Sequence, residues 1–347
     1  MNGKLVSFAR SLVATPFSIA MTLVWIFIAY KVVPPVVNWA LFEAVFIAKD
    51  GSECSRSAAC WAFIAARFDD FVFGRYPAEE RWRVAVAFAL PLALALSSRN
   101  ASQKSRGKIL FSSILIFPVS VLAFMYGGVM GLEVVETRLW GGFALTLVIA
   151  TCSIASALPI GILLALGRRS HMRVIALLST IFIEAARSVP MITVLFVASI
   201  MFPFFVPEGI EIDKLLRTII AISLFAGAYM AEVIRGGLQA VPTGQYEAAA
   251  AMGHGYWQSM RFVILPQALR ISIPAIVNLF IGFFKDTTLV LVIGLFDLLN
   301  MVLSATSDPK WLGFEVEGYV FAAFVYFIFC YSMGHYARRL EAKQKHS

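Results

Sequence analysis

GGLQAVPTGQYEAAAAMGHGYWQSMRFVILP, residues 236–266, lies between two apolar runs and decides how the rest of the chain is read. Pro242 followed by Thr243 and Gly244 reads as a helix start, with Thr243 or Gly244 as the cap. Ala248 to Ala251 favour the helix and leave it almost no side-chain bulk. Glu247 is expected in the first turn, where a negative charge suits the helix dipole. Glu247, Ala248 and Ala249 are followed four positions later by Gly253, and twelve positions after that come Leu265 and Pro266. A short helix faced with alanine is shaped to slot into a groove on another protein.

The surroundings of this stretch are those of a membrane protein. The chain of 347 residues is 60% hydrophobic and 14% charged, against roughly a quarter charged in soluble domains, and its mean hydropathy is +0.80. The net charge of +8 does not point to nucleic acid, because the basic residues sit in short clusters between apolar runs rather than over one face. The first apolar run carries no small-residue cleavage site and is expected to remain as a membrane helix.

Crossing a hydrocarbon core of about 30 Å needs roughly 20 residues, fewer where helix ends snorkel, and the candidate runs number eight. They are residues 12–33, 84–96 (short, with Pro91), 109–129, 142–166, 174–205, 218–234, 271–301 and 319–336. The connections after the first, third, fifth and seventh runs are the acid-rich ones. Those around Arg99–Lys108 and Arg168–Arg173, and the tail beyond Arg338, are basic. The excess of basic residues in cytoplasmic loops therefore places both termini, and residues 236–266, in the cytoplasm. The fold class is all-α, a polytopic membrane protein of about eight transmembrane helices.

Cys54 and Cys60 share the first external loop, where an oxidising compartment permits pairing. Their spacing leaves a disulfide and two free thiols equally open. Cys152 and Cys330 lie in membrane runs as small packing residues, and neither spacing nor the scattered histidines suggest a metal site or a catalytic set. Glu184 and Arg187 stand three apart on one helix face, as a structural pair or as a substrate contact. Glu232 and Arg235 read as anchors at the inner boundary. Lys285 and Asp286 interrupt an otherwise uncharged stretch at a depth where charge is costly, marking either a site or the end of a broken helix. No phosphate loop of the form GxxxxGK[ST] occurs, so nucleotide hydrolysis by that route must come from a partner.

The EAA-x3-G pattern of Glu247 to Gly253, closed by Leu265 and Pro266, resembles the cytoplasmic loop of bacterial ABC importer permeases. Glu184-Ala-Ala-Arg187-Ser-Val-Pro190 is similar to the E-x2-R-G-x-P signature of the polar amino-acid subfamily, with Ser188 in place of its glycine. Lys285-Asp286-Thr287-Thr288-Leu289 is similar to its K-[DN]-T-[ST]-L signature. The N-terminal part, with CWAFIAARFDDFVFGRYP in the long external loop, resembles the M-type permease of broad-specificity L-amino-acid importers.

The resemblance implies a type I importer core of five helices over 141–339, including a coupling loop at 236–266. Before it comes an extension, 1–140, of three transmembrane helices with a long periplasmic loop at 34–81, and 340–347 is left as a cytoplasmic tail. It further implies that Glu247, Ala248, Ala249 and Gly253 couple to an ATPase, and that Glu184, Arg187, Lys285, Asp286 and Thr287 line the substrate pathway. The implied partners are two ATP-binding subunits holding ATP and magnesium, a periplasmic amino-acid-binding protein, and a homologous permease, a heterodimer being favoured. The chain itself is expected to be a non-catalytic, cofactor-free subunit of an amino-acid uptake system in the bacterial inner membrane. An ion-coupled secondary transporter and a purely structural subunit are the competing readings. The first needs an ion site and usually repeated halves, of which the sequence shows no convincing sign.

Overall fold

The computed structural model describes residues 14–129, 131–207 and 209–344. Among these residues the regular structure is helical, with three isolated β-bridges and no strand. Seven helices are long and apolar enough to cross a bilayer, and an eighth crossing appears when one bent pair is counted as a span. An all-helical build is what a hydrocarbon solvent enforces, because each segment must satisfy its own backbone amides.

Helix α1 (Pro16–Val37) begins on a capping box in which Thr15 and Ser18 each accept the other's backbone N–H, at 3.1 and 2.9 Å. It continues through a wide turn at Asn38–Phe42 and buries none of its residues within the chain. Lys4 and Arg10, the basic flank of this run, lie outside the described residues.

The chain divides into two compact units. In the smaller, residues 1–68 and 305–318, Cys54 and Cys60 form a disulfide. Closing so short a loop contributes about 2 kcal/mol by restricting the unfolded chain. The Cys60 N–H donates to Glu317 at 3.1 Å, the Trp61 indole N–H donates to the Ala40 carbonyl at 2.7 Å, and Arg67 pairs with Asp308. The loop read from sequence as one long connection therefore carries its own structure, including helix α2 (Trp61–Phe73).

The larger unit holds the remaining crossings. Helix α3 (Arg81–Ser97) runs straight through Pro91, longer than its apolar run suggested. Proline cannot donate to the carbonyl four residues back, and here the Ser120 hydroxyl, at the end of α4 (Gln103–Ser120), donates to that Ala87 carbonyl at 2.8 Å instead. The Ser113 hydroxyl donates to the Pro91 carbonyl at 3.0 Å. Arg83, fully buried, ties the pair to the turn that follows by donating to the Phe124 and Glu133 carbonyls at 2.7 and 2.8 Å.

The centre of the unit is α5 (Gly142–Arg168) against α8 (Lys214–Ala240). A Cβ on Gly161 would stand 2.6 Å from Met230, and one on Gly227 would stand 2.5 Å from Ile160. Only glycine permits this approach, the small-residue packing that joins helices where lipid supplies no hydrophobic drive. The fifth apolar run is not one straight span. It breaks into α6 (Arg173–Ser188) and α7 (Met191–Phe196), and the segments 173–188 and 191–205 meet at 105°. Pro190 forces Val189 into an extended conformation, φ −112° and ψ 140°, and the Ser188 hydroxyl closes the first helix by donating to the Ala185 carbonyl at 2.9 Å.

The seventh run is likewise three pieces: α11 (Leu265–Asp286), a tight 3₁₀ segment Thr287–Ile293, and α12 (Leu298–Thr306). Between them the buried Asp297 accepts hydrogen bonds from the Asn300 N–H at 3.1 Å, from the Asn300 amide, and from Tyr326 of α13 (Glu315–Gln344) at 3.0 Å. The neighbouring Leu298 N–H donates to Thr146 of α5 at 3.0 Å. The cluster fastens the starts of α5 and α12 to α13.

Candidate functional site

At the end of the bundle where α5 and α8 finish, the chain turns at Val241–Pro242 into helix α9 (Thr243–Ala251). No side chain caps α9. Pro242, at φ −55°, sets the entry, so Thr243 is the first helical residue rather than a cap, and Glu247 lies beyond the first turn. Glu247 and Ala248 are exposed, while Ala249 is buried and pins the inner face. Gly253, at φ +78°, ends the helix in the left-handed conformation, its N–H donating to the Ala250 carbonyl at 2.9 Å. After it α10 (Tyr256–Ser259) and a wide turn Met260–Ile264 lead into α11. Met252, Trp257 and Phe262 stand more than 60% exposed on this loop, apolar side chains left uncovered among the described residues.

The loop is fastened to the bundle at Tyr246. Its hydroxyl donates to the Leu238 carbonyl at 2.9 Å and accepts from Arg169 at 3.3 Å, and the Arg169 guanidinium lies 5.8 Å from the ring centre. One residue earlier, Arg168 spans three helices: it reaches Glu232 of α8 at 2.6 Å and Glu184 of α6 at 2.9 Å. Glu232 also takes a forked pair of contacts from Arg235, 2.9–3.1 Å. Arg187 stands 3.9 Å from both Glu184 and Glu232. Glu232 and Arg235 are thus members of a five-residue charge network rather than snorkelling anchors, and Glu184 has Arg168 as its nearer partner. Two carboxylates against three guanidiniums leave the cluster net positive, and none of its side chains is fully buried.

Arg187 carries the network onward, its guanidinium 5.7 Å from the Tyr229 ring centre. Tyr229 lines a cavity of about 330 Å³ together with Met191, Phe225, Asn278, Phe283 and Asp286. This cavity lies beside the break between α6 and α7 and against the last turns of α11. Of the residues singled out at the second signature, Asp286 lines it. Lys285 is exposed, and buried Thr287 turns back to donate to the Phe284 carbonyl at 2.8 Å. Asn278, Tyr229 and Arg168 escaped the sequence reading. Asn278 did carry a signal, being a lone amide in an apolar run eight residues before Asp286, on the same helical face. Among the described residues, no group of three His, Cys, Asp or Glu side chains is arranged to hold a metal.

The family model for binding-protein-dependent transport system inner membrane components matches residues 157–346. The chain is 50% identical to the inner membrane amino-acid ABC transporter permease protein YhdY of Escherichia coli K12, over 93% of this chain and 88% of that one. It is 38% identical to the glutamate/glutamine/aspartate/asparagine transport system permease protein BztC of Rhodobacter capsulatus, over 97% and 92%. A crystal structure of an amino acid ABC transporter with histidines aligns at a TM-score of 0.52 and 30% identity, covering 58% of this chain and 92% of that chain. The chain therefore belongs to the family of binding-protein-dependent transport system inner membrane components, as a multi-pass inner-membrane permease subunit.

Proposed function

We propose that the chain is the permease of an ATP-driven amino-acid uptake system and works by alternating access. A binding protein delivers an amino acid to the face opposite residues 236–266. Two ATPase subunits, which hold ATP and magnesium and perform the hydrolysis, push on Glu247, Ala248, Ala249 and Gly253. A homologous second permease completes the pathway as a heterodimer, and both termini face the cytoplasm. The observation that carries this reading is the unbroken run of contacts from the loop to the cavity: Tyr246 to Arg169, adjacent Arg168 to Glu232, Glu232 to Arg187, Arg187 to Tyr229. It offers one physical route by which force applied at the exposed loop reaches a space large enough for a small molecule. A loop fastened in this way shifts the cavity only if its partner binds the two conformations with different affinity.

Reconstitution into vesicles with the ATPase, the binding protein and the second permease tests the whole reading. Uptake is expected to require ATP hydrolysis and loaded binding protein; uptake driven by an ion gradient without ATP overturns it. Within that assay Asp286→Ala is expected to change the apparent affinity or rate of uptake severalfold while the complex assembles in normal yield. Unchanged uptake kinetics would assign Asp286 to the end of α11 alone.

A further inference from the structure

The structure assigns a second, separate site to this chain: a carboxylate-binding mouth at the opposite end of the bundle from the coupling loop, built jointly by Arg75 and Lys214. Helices α5 and α8 are 27 residues each, about 40 Å, and their first residues lie at this end while their last turns reach Tyr246. A cavity of about 620 Å³ opens here, within the size range of roughly 300–1,000 Å³ typical of ligand clefts. Its walls come from the segment 136–140 that leads into α5, from the start of α8, from the turn after the 3₁₀ segment, and from Arg75 in the link between α2 and α3.

That link is built to bring Arg75 to the mouth. Gly74, at φ +65°, bridges to Trp140, and a Cβ on it would stand 2.3 Å from the Gly141 Cα. The left-handed conformation and the contact both exclude larger residues. On the far side of Arg75 the buried Tyr76 hydroxyl donates to the Met125 carbonyl at 2.8 Å. Held between these two fixings, the Arg75 guanidinium lies 4.9 Å from the Phe296 ring centre, a stacking that orients the group while leaving its N–H edge free.

The charge of the cavity is uneven once existing commitments are counted. Asp213 caps α8 by accepting from the Leu216 N–H at 3.0 Å and also accepts from Thr137. Glu136 pairs with Arg138. Among the described residues, Arg75 and Lys214 have no carboxylate within ion-pairing distance, although both line the cavity. Lys214 opens α8, and because Asp213 already answers the helix's N-terminus, the pull on an anion here comes from the ammonium itself. Opposite it stands Gly294, and a Cβ there would lie 4.0 Å from the Lys214 ammonium. Two free cations over an aromatic and main-chain floor select a carboxylate, and the engaged acids offer little to an ammonium. The cargo class favoured at the mouth is therefore the dicarboxylic amino acids rather than the cationic ones.

Arg75 lies outside the 157–346 matched by the family model. The N-terminal extension thereby acquires a task, that of completing an entry site for acidic substrate. This assignment rests on the amino-acid uptake reading above, and its test is separable from it. The purified complex, without ATP or binding protein, is titrated with labelled L-glutamate, and with L-arginine for comparison. Binding of L-glutamate is expected, at least tenfold tighter than L-arginine and weakened as salt is raised. R75Q and K214Q are expected to lose at least tenfold in L-glutamate affinity, with R75K within threefold of the unchanged complex as the check on folding. Unaltered L-glutamate affinity in R75Q and K214Q overturns the site, as does loss of the signal in D286A with retention in R75Q, which would place binding in the inner cavity. Weakened ATPase stimulation by the binding protein with unaltered L-glutamate affinity also overturns it, because the carboxylate would then belong to the binding protein. Absence of ATP-driven uptake in the unmodified complex would instead count against the broader reading.

Discussion

Replacing Gly253 by tryptophan is expected to abolish ATP-driven uptake while leaving insertion and folding of the chain intact. Gly253 sits at φ +78°, and a Cβ added there meets nothing within 4 Å among the described residues. Any L-residue at this position therefore suffers a backbone cost of about 1–2 kcal/mol but no internal clash. The two contributions separate experimentally. Gly253→Ala carries the backbone cost alone and is expected to reduce uptake only moderately. Gly253→Trp adds a large ring on the exposed side, beside Met252, where the ATPase is proposed to seat. Overfilling a fitted interface costs about 1–3 kcal/mol, roughly five- to 150-fold in docking. Co-purification of the ATPase and the uptake rate should fall together in Gly253→Trp, well below Gly253→Ala. Normal uptake by Gly253→Trp would remove residues 236–266 from the coupling role.

How far the sequence reveals this molecule depends on whether the chemistry is local. The α9 loop was legible because its signals are neighbours: alanines that make helix, a glycine that ends it, a proline that opens the next segment. Membrane crossings were legible for the same reason, since twenty apolar residues suffice whatever surrounds them. Proline positions show where local reading stops. Pro91 and Pro190 look alike in an apolar run, yet α3 continues through the first and the chain bends by 105° at the second. The difference for Pro91 is Ser120, 33 residues away, which satisfies the freed Ala87 carbonyl. Arg168 was read as one more basic residue at an inner boundary because its partner Glu232 is 64 residues distant. Asp297 passed unremarked because Tyr326 lies 29 residues further on. Arg75 stood inside a loop of negative balance and became prominent only when Gly74 was seen to dock on Gly141.

The charge network supplies the second large effect. In Glu232→Gln the carboxylate that Arg168, Arg187 and Arg235 share is lost, and three guanidiniums face only Glu184. Removing one partner from such a half-buried set is worse than removing both, because the remaining charges stay desolvated without compensation. The expected result is an uptake-to-hydrolysis ratio lowered about five- to thirtyfold, equivalent to 1–2 kcal/mol, in a complex that still assembles. Arg168→Gln/Glu232→Gln, which removes one charge of each sign, should recover part of that ratio, a non-additivity of about 0.5–3 kcal/mol for residues in one network. A network that merely glues α5, α6 and α8 would lower the yield of complex and leave the ratio of uptake to hydrolysis untouched, and the double substitution would add to the damage rather than relieve it. What makes the ratio the informative quantity is the position of Arg168 directly beside Arg169. One arginine holds Tyr246 of the loop and the next holds the carboxylates of α6 and α8, so a displacement of α9 cannot leave the helices beside the cavity unmoved unless these contacts break. If they break and re-form between the two conformations, their strength enters the free-energy difference that ATP must bias. Weakening them then wastes hydrolysis without abolishing it.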